Sequence, residues 1–465
     1  MTSFRSLSAL RAFCLVWTIS LVSAAALWAG PPVCEAQGAG QCRYASPGGA
    51  GVGTFSDPGS LGSVLAQAAA GDFVYLLGGE YTTILEFGGV QAVMNLAKFA
   101  PRAEPYPTPE APLTIKGYPG ADVLIRGDFT SVCVAIDRRS NYRFEDFAVT
   151  DCLGEGIRLG LDLPMENISF RNLEISQVRY TDNSGFLTIR SYDNVLVEDV
   201  DFHDYEAGGA EGYFLKLFRA TDVTVRNNLF HGRGGGIYYK HGEPTTGAGG
   251  FTRILSNRFY DLSLGSGIRI NQNRTEMRGN LVVDASIDIH GEDGTAAPFT
   301  FGNEIAYNTI IGSEILLRDG SDTYIPGVQL GTFDANVHHN IIVDSDYRIW
   351  HYGPDSQFLL GVGLRSQDNC FFDTVGSQQI SYFGADGSWG DMGQMHDLSS
   401  WQTFGHGQGS LETDPLLDPD GVPASNSPCL NYGHTAFIES VIFTDGFESG
   451  STSSWLTTSP RVPAP

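Results

Sequence analysis

Lys216, Lys240 and Arg269 are cations set among glycine and aromatic residues, in the words YFLKLF, GIYYKH and SGIRINQNRTEMRG. Brought close together, these side chains have a definite chemistry. A lysine crowded by like charges gives up its proton more readily, as a general base must. An arginine beside it neutralises charge building on a substrate carboxylate. His241 can shuttle a proton near neutral pH, and Tyr239 can donate one. Tyr238 offers a ring face or a proton. Arg219, Arg253 and Arg274 add cations for holding an anionic polymer. The competing reading is that all of these are solvated outward positions with no site between them.

The elements that must position them are read from a repeat. A small polar residue recurs just before an apolar one: Asp146, Asn172, Asp199, Asn228, Asn257, Asn280, Asn308 and Asn340. The intervals are 26, 27, 29, 29, 23, 28 and 32 residues. The surrounding words are alike (VTVRNNLF, RILSNRFY, EMRGNLVV, VHHNIIV), and each repeat carries a second strand opened by glycine, such as GFLTI, GIYY or GIRI. A period above twenty residues with strand alternation and no helical pattern describes a parallel β-solenoid. The recurring polar residues are expected to satisfy turn backbone rather than to do chemistry.

The same positions serve as a ruler. Lys216 lies 12 residues before Asn228, and Arg269 lies 11 before Asn280. Lys240 lies 17 before Asn257, in a repeat six residues longer than the next, 29 against 23. Assigning that excess to EPTTGAGG brings Lys240 to 11 as well. Parallel strands stack about 4.8 Å apart. The expectation is one basic column of Lys216, Lys240 and Arg269 on three successive coils.

Near the N-terminus, Leu61–Ala70 has a short helical pattern, followed by Gly71-Asp72 and the buried strand FVYLL. This order resembles the capped first coil of the pectate-lyase-like right-handed parallel β-helix superfamily. Towards the other end, DPLLDPDGVPASNSPCLNYG resembles the closing segment of such proteins. Together these imply an all-β chain, a right-handed single-stranded solenoid with a short capping helix. Lys240 and Arg269 are similar in order and coil position to the base and the arginine of chondroitinase-B and alginate-lyase-type polysaccharide lyases. Many of those carry acids that hold Ca²⁺ shortly before the lysine, where this chain has Gly234, Gly235 and Gly236. No cofactor is therefore expected, with Ca²⁺ left open and no ligands assigned.

Composition narrows the partners. The 465 residues carry a net charge of −25, which makes a poor general binder of nucleic acid. Yet 17 of the 28 Lys and Arg fall between Arg138 and Arg278, so a local basic surface is compatible with an acidic whole. Arg5 and Arg11 precede an apolar run ending in small residues, which reads as a signal peptide over 1–30, cleaved somewhere from 25 to 36. Cys14 lies inside that run, leaving Cys34, Cys42, Cys133, Cys152, Cys370 and Cys429. An even count in an exported chain suggests disulfides, and pairing neighbours gives Cys34–Cys42, Cys133–Cys152 and Cys370–Cys429, one of fifteen possibilities. The solenoid is expected over 37–435, with a tail over 436–465 bearing FTDGFESG.

The expected function is action on an acidic, uronate-containing polysaccharide by β-elimination. The protein would be a secreted or cell-surface monomer with no membrane span once the signal is removed. Lys240 would be the base, Arg269 the charge neutraliser, and His241 or Tyr239 the proton relay. Lys216, Arg219, Tyr238, Arg253 and Arg274 would bind substrate. One alternative is a non-catalytic glycan-binding or adhesion protein. Another is a glycoside hydrolase, which needs paired carboxylates. Asp199, Asp201, Asp204 and Glu206 are the candidates, with Asp201 and His203 facing one side.

Overall fold

The computed structural model describes residues 33–437 except 37–38, 88, 97–105, 138, 161–164, 180, 182–184, 207–211, 241–250, 291–298, 319–330, 334, 351–363, 375–379, 384–393 and 404. The expected signal peptide, the tail and His241 lie outside the described residues. All the elements below belong to one unit, from Cys34 onward.

Strand alternation becomes a coil in the same way along most of the chain. Each coil gives two short strands to a 22-stranded sheet and one to a 13-stranded sheet, and nearly all pairings are parallel. This is the all-β solenoid that the repeat predicts. Inward positions form continuous apolar columns. Leu187, Leu215, Ile237, Ile268, Ile287 and Ile315 succeed one another in register and are fully buried. Phe202, Phe230 and Phe259 stack inside at 4.8 and 4.7 Å, with planes 3° apart. Burying each such side chain is worth about 1.5–3 kcal/mol.

One corner of the coil carries a buried asparagine ladder. The Asn257 side chain accepts from the Asn228 amide at 3.0 Å and from Asn228 Nδ2 at 2.9 Å. Its own Nδ2 donates to Asn280 Oδ1 and to the Val225 carbonyl, both at 3.0 Å. The pattern repeats through Asn280, Asn308, Asn340 and Asn369, and ends where the Asn369 amide donates to Ser410 Oγ. Backbone polar groups at a buried bend need partners, and here every rung supplies its neighbour's.

The ladder corrects the ruler in the first three coils. Asp146, Asn172 and Asp199 do not belong to it. They have φ of 62°, 50° and 52°, and lie in the outer column of left-handed residues, with Asn227 and Ser256. The ladder position one residue later is filled by Phe147, Leu173 and Val200. Asp and Asn tolerate the left-handed region, so the same residue types mark two adjacent columns.

Both ends of the stack are covered. The helix Leu61–Gln67, capped by Ser60, buries Leu61, Val64 and Leu65. Asp72 receives the Gln41 and Ala69 amides and Arg43 Nε, which ties down the Gly71-Asp72 turn. The 13-stranded sheet closes with antiparallel strands, Leu85–Phe87 at one edge and Gln394–His396 at the other, which block further parallel pairing. The disulfides are Cys34–Cys42, Cys133–Cys152 and Cys370–Cys429, the neighbour pairs expected.

The closing segment turns back over earlier coils. Cys429 bonds Cys370, the Gly433 amide donates to the His339 carbonyl, and the His434 amide donates to Thr309 Oγ1. Tyr432 stacks on His339 at 5.7 Å, and Phe437 lies against Gly279. Gly433 permits the approach, since a Cβ there would come within 2.5 Å of Thr309 Oγ1.

Asn280→Ala should be costly. It removes the acceptor of two bonds from Asn257 and the donor to Ile254 O and Asn308, so equilibrium unfolding should show a loss of about 2–4 kcal/mol. A second outcome concerns acid. Burial pushes His434 down to about 4, with Arg258 reinforcing and Asp418 opposing. Its folded value lies below the unfolded one, near 6.5. The ring therefore contributes stability above about pH 6.5, which is lost as pH falls towards 4. Unfolding at pH 7 and pH 4 should show wild type losing on the order of 2 kcal/mol more than His434→Asn.

Candidate functional site

The strand Gly235–Lys240 lies in the 13-stranded sheet between Tyr213–Phe218 and Ser266–Ile270. Its pattern puts Ile237 and Tyr239 inside, and Tyr238 and Lys240 outside. The register then fixes the outward column as Arg158, Thr188, Lys216, Tyr238, Arg269 and Asp288. The expected column is thus corrected at its middle member. Tyr238, not Lys240, lies between Lys216 and Arg269, and Lys240 pairs with Phe218 two residues along. The ruler failed because a repeat's excess length cannot be divided between its turns by counting.

The substitution changes the electrostatics. Instead of three cations on adjacent coils, an aromatic ring separates two. Lys216 Nζ lies over the Tyr238 ring at 5.8 Å from its centroid, and Arg269 Cζ at 5.1 Å. Such contacts are worth about 0.5–2 kcal/mol each, according to exposure. Tyr213 packs on Tyr238 with ring centroids 4.9 Å apart. Gly235 makes room for it, since a Cβ there would meet the Tyr213 ring at 2.9 Å.

Arg269 is held from the far side by Asp288, at 3.5 Å. Burial works against its cation, but Tyr213 and Asp288 outweigh it, and its affinity for the proton is raised. Lys216 is itself 7% exposed. Further along the same face, Arg158 reaches Asp137 at 2.9 Å, and Arg190 reaches Glu155 at 3.7 Å. Burial pushes the Glu155 carboxyl up, against the pull of Arg158 and Arg190.

The other expected residues scatter. Tyr239 is fully buried in the column with Leu217 and Ile270, and its hydroxyl donates to the Ala220 carbonyl. It is a core residue, not an outward relay. Arg219 has φ of 50° and lies over the Phe218 ring at 5.3 Å, with its amide donating to the Lys240 carbonyl. It flanks Lys240. Arg253 is on the other sheet, paired with Glu276 at 3.6 Å, and so is removed from the column. Arg274 has φ of 53° in the turn that leads to that sheet. Of the predicted binders, only Lys216 and Tyr238 share the column with Arg269. Tyr213 and Asp288 went unnoticed in the sequence, and the alternation of GYFLKL and SIDIH is the signal that could have found them.

The hydrolase carboxylates are engaged separately. Asp201 bonds His231 Nε2 at 3.0 Å, and His203 bonds Glu174 at 3.2 Å and Asp204 at 3.3 Å. Glu206 pairs with Arg179, and Asp199 is a left-handed corner residue. Asp201 and His203 do face one side. The rings of His203, His231 and Tyr260 stack at 5.2 and 5.3 Å in a second outward column. Acids in place of Gly234, Gly235 and Gly236 would not fit. A Cβ at Gly236 would be 2.1 Å from the Gly267 carbonyl, and one at Gly234 2.7 Å from the Tyr205 ring. The residues present thus do not suit the Ca²⁺ arrangement of the resemblance. Among the described residues, no group of three or more His, Cys, Asp or Glu is disposed to hold a metal.

No curated protein matches the chain. Residues 124–249 match a family model described as a right handed beta helix region. Among solved structures, pectate lyase Pel9A is 14% identical over 88% of this chain and 94% of its own, with a TM-score of 0.35. The PL6 family polysaccharide lyase Pedsa3628 from Pseudopedobacter saltans is 15% identical over 85% and 100%, with a TM-score of 0.40. XylC in complex with xylose is 11% identical over 81% and 87%, with a TM-score of 0.38. Superpositions at this level say nothing about chemistry. The coil register and the family match together describe a right-handed parallel β-helix.

Proposed function

We propose that the protein acts on an acidic, uronate-containing polysaccharide along the outer face of the 13-stranded sheet, by β-elimination. The observation that carries this reading is the Lys216–Tyr238–Arg269 column, a cation–aromatic array on a chain of net charge −25. Cations presented on an acidic protein favour an anionic ligand over a neutral one. Arg269 would neutralise the uronate carboxylate as charge builds on it. Lys240, on the same outward side and two residues from Tyr238, would take the proton next to that carboxylate. Three disulfides fit a protein that works in an oxidising compartment outside the cytoplasm.

A second reading is a glycan-binding protein without turnover. It is favoured by the register, which leaves Lys240 out of the column, and by the ion pair that already engages Arg269. Incubation with alginate, pectate and glycosaminoglycans separates the two, through absorbance of the unsaturated product. Elimination predicts signal from at least one polymer and a fall in kcat of about 100-fold or more for Lys240→Ala and Arg269→Ala. Retention on a glycan array without any product would decide for binding alone. Tyr239→Phe serves as the control: it should cost about 1 kcal/mol of stability through the lost bond to Ala220 and leave turnover unchanged.

A further inference from the structure

We propose that the returning segment from Leu430 to Phe437 is an acid-released flap, pinned to the solenoid by His434 and tethered by the Cys370–Cys429 disulfide. On the 22-stranded sheet the outward positions beneath it run Arg258, Leu281, Thr309, Ile341 and Cys370 in register. Earlier coils of this sheet carry charge outward, as at Arg171, Glu198 and Arg226. Here Leu281, Thr309, Ile341 and Cys370 are buried instead. Ile341, Val343, Cys370 and Cys429 form an apolar cluster of their own, with Leu417 and Tyr432 packed on it. An apolar strip on the outside of a coil needs a cover to keep it from water, and this segment is the cover.

The cover is held lightly. From Thr413 to Phe437 the described residues add no strand to either sheet, so no ladder of backbone bonds fastens them. Beyond the disulfide, the Gly433 amide donates to the His339 carbonyl at 2.8 Å, and the His434 amide donates to Thr309 Oγ1 at 3.1 Å. The His434 ring meets the same hydroxyl through Nδ1 at 2.9 Å. A segment fastened in this way opens locally at a free energy well below that of global unfolding.

Two charged groups face the half-buried His434 ring. Arg258 lies in the column beneath it. Asp418 belongs to the turn whose Gly421 packs beside the ring, and its Oδ1 accepts from the Asp420 and Val422 amides. Burial, reinforced by Arg258 and opposed by Asp418, holds the docked ring at about 4, against about 6.5 once released. The docked form thus refuses a proton that the released form accepts. Docking is at full strength above about pH 6.5 and is lost as pH falls towards 4. Each unit of that difference is worth about tenfold, so release should become on the order of 100-fold more frequent between pH 7 and pH 4. His339 works in the same sense. Its ring lies 5.7 Å from that of Tyr432 and 4.9 Å from that of Tyr307, with His338 Nδ1 at 2.8 Å. Burial and His338 push it down, while Asp368 opposes. Because Cys429 stays bonded to Cys370, the segment hinges there and closes again when the pH rises.

Hydrogen exchange read by mass spectrometry on the full chain tests this at pH 7 and pH 4, after correction for the intrinsic rate at each pH. Peptides over Leu430–Phe437 should open on the order of 100-fold more often at pH 4, while the interior strand Tyr142–Thr150 stays protected. His434→Asn keeps a side chain that can bond Thr309 but does not titrate, and its response should fall to about tenfold or less. Arg258→Gln, which leaves the segment itself intact, should also respond more weakly than wild type, and it serves if His434→Asn already exchanges faster at pH 7. A wild-type segment equally protected at both pH values would overturn the proposal, and so would variants that respond as strongly as wild type. Exchange in Tyr142–Thr150 rising in step with the segment would overturn it as well, since the acid effect would then be global unfolding. None of these outcomes depends on activity towards a polymer.

Discussion

The structure depends on a buried bend repeated along the stack. At each bend a left-handed residue turns the chain, and the next residue must fill the interior and satisfy the backbone of its neighbours. From Asn228 to Asn369 one amide side chain does both, by accepting from the rung before and donating to the rung after. The coils are therefore held in a fixed phase. A slip of one residue would turn every inward side chain outward, so that phase is what allows an outward column such as Lys216–Tyr238–Arg269 to exist at all. In the earlier coils the corner is filled by Phe147, Leu173 and Val200, and apolar packing replaces the polar ladder.

The fold could be read from the sequence because its signals are redundant. Each coil repeats a turn residue, two short strands and a glycine, so an error in one coil does not alter the period. The disulfides followed from proximity in sequence, since neighbouring coils bring neighbouring cysteines together. The site had no such redundancy. Whether Lys240 or Tyr238 faces Arg269 depends on how many residues one particular turn takes up, and turn length carries no hydrophobic pattern. Tyr239 faces inward for another reason: adjacent residues on a strand point to opposite faces, so Tyr238 and Tyr239 do not share one. Asp146, Asn172 and Asp199 misled because the residue types that tolerate a left-handed φ are also those that form ladders.

The column also shows how an acidic protein can hold two cations on one face. Lys216 and Arg269 are separated by a ring rather than stacked against each other, so their repulsion is replaced by attraction to a shared π system. Asp288 then closes the array at one end. On the other sheet, carboxylates pair with basic groups across strands, directly in Arg171–Glu198–Arg226 and diagonally in Arg278–Glu304–His338. In each triple one carboxylate is engaged by two basic groups. The two faces of one solenoid thus arrange their charges differently, although they are built from the same residue types.

The returning segment has a mechanical consequence. A stack of coils under tension peels from its ends, because each terminal coil is held by one neighbour only. Here the strap from Cys429 to Phe437 is bonded to the coil of Cys370 and lies across those of His339, Thr309 and Gly279. A pull on the C-terminal end therefore loads several coils in parallel rather than one after another. That end is therefore held against peeling by more than the one neighbour that an uncovered terminal coil would have.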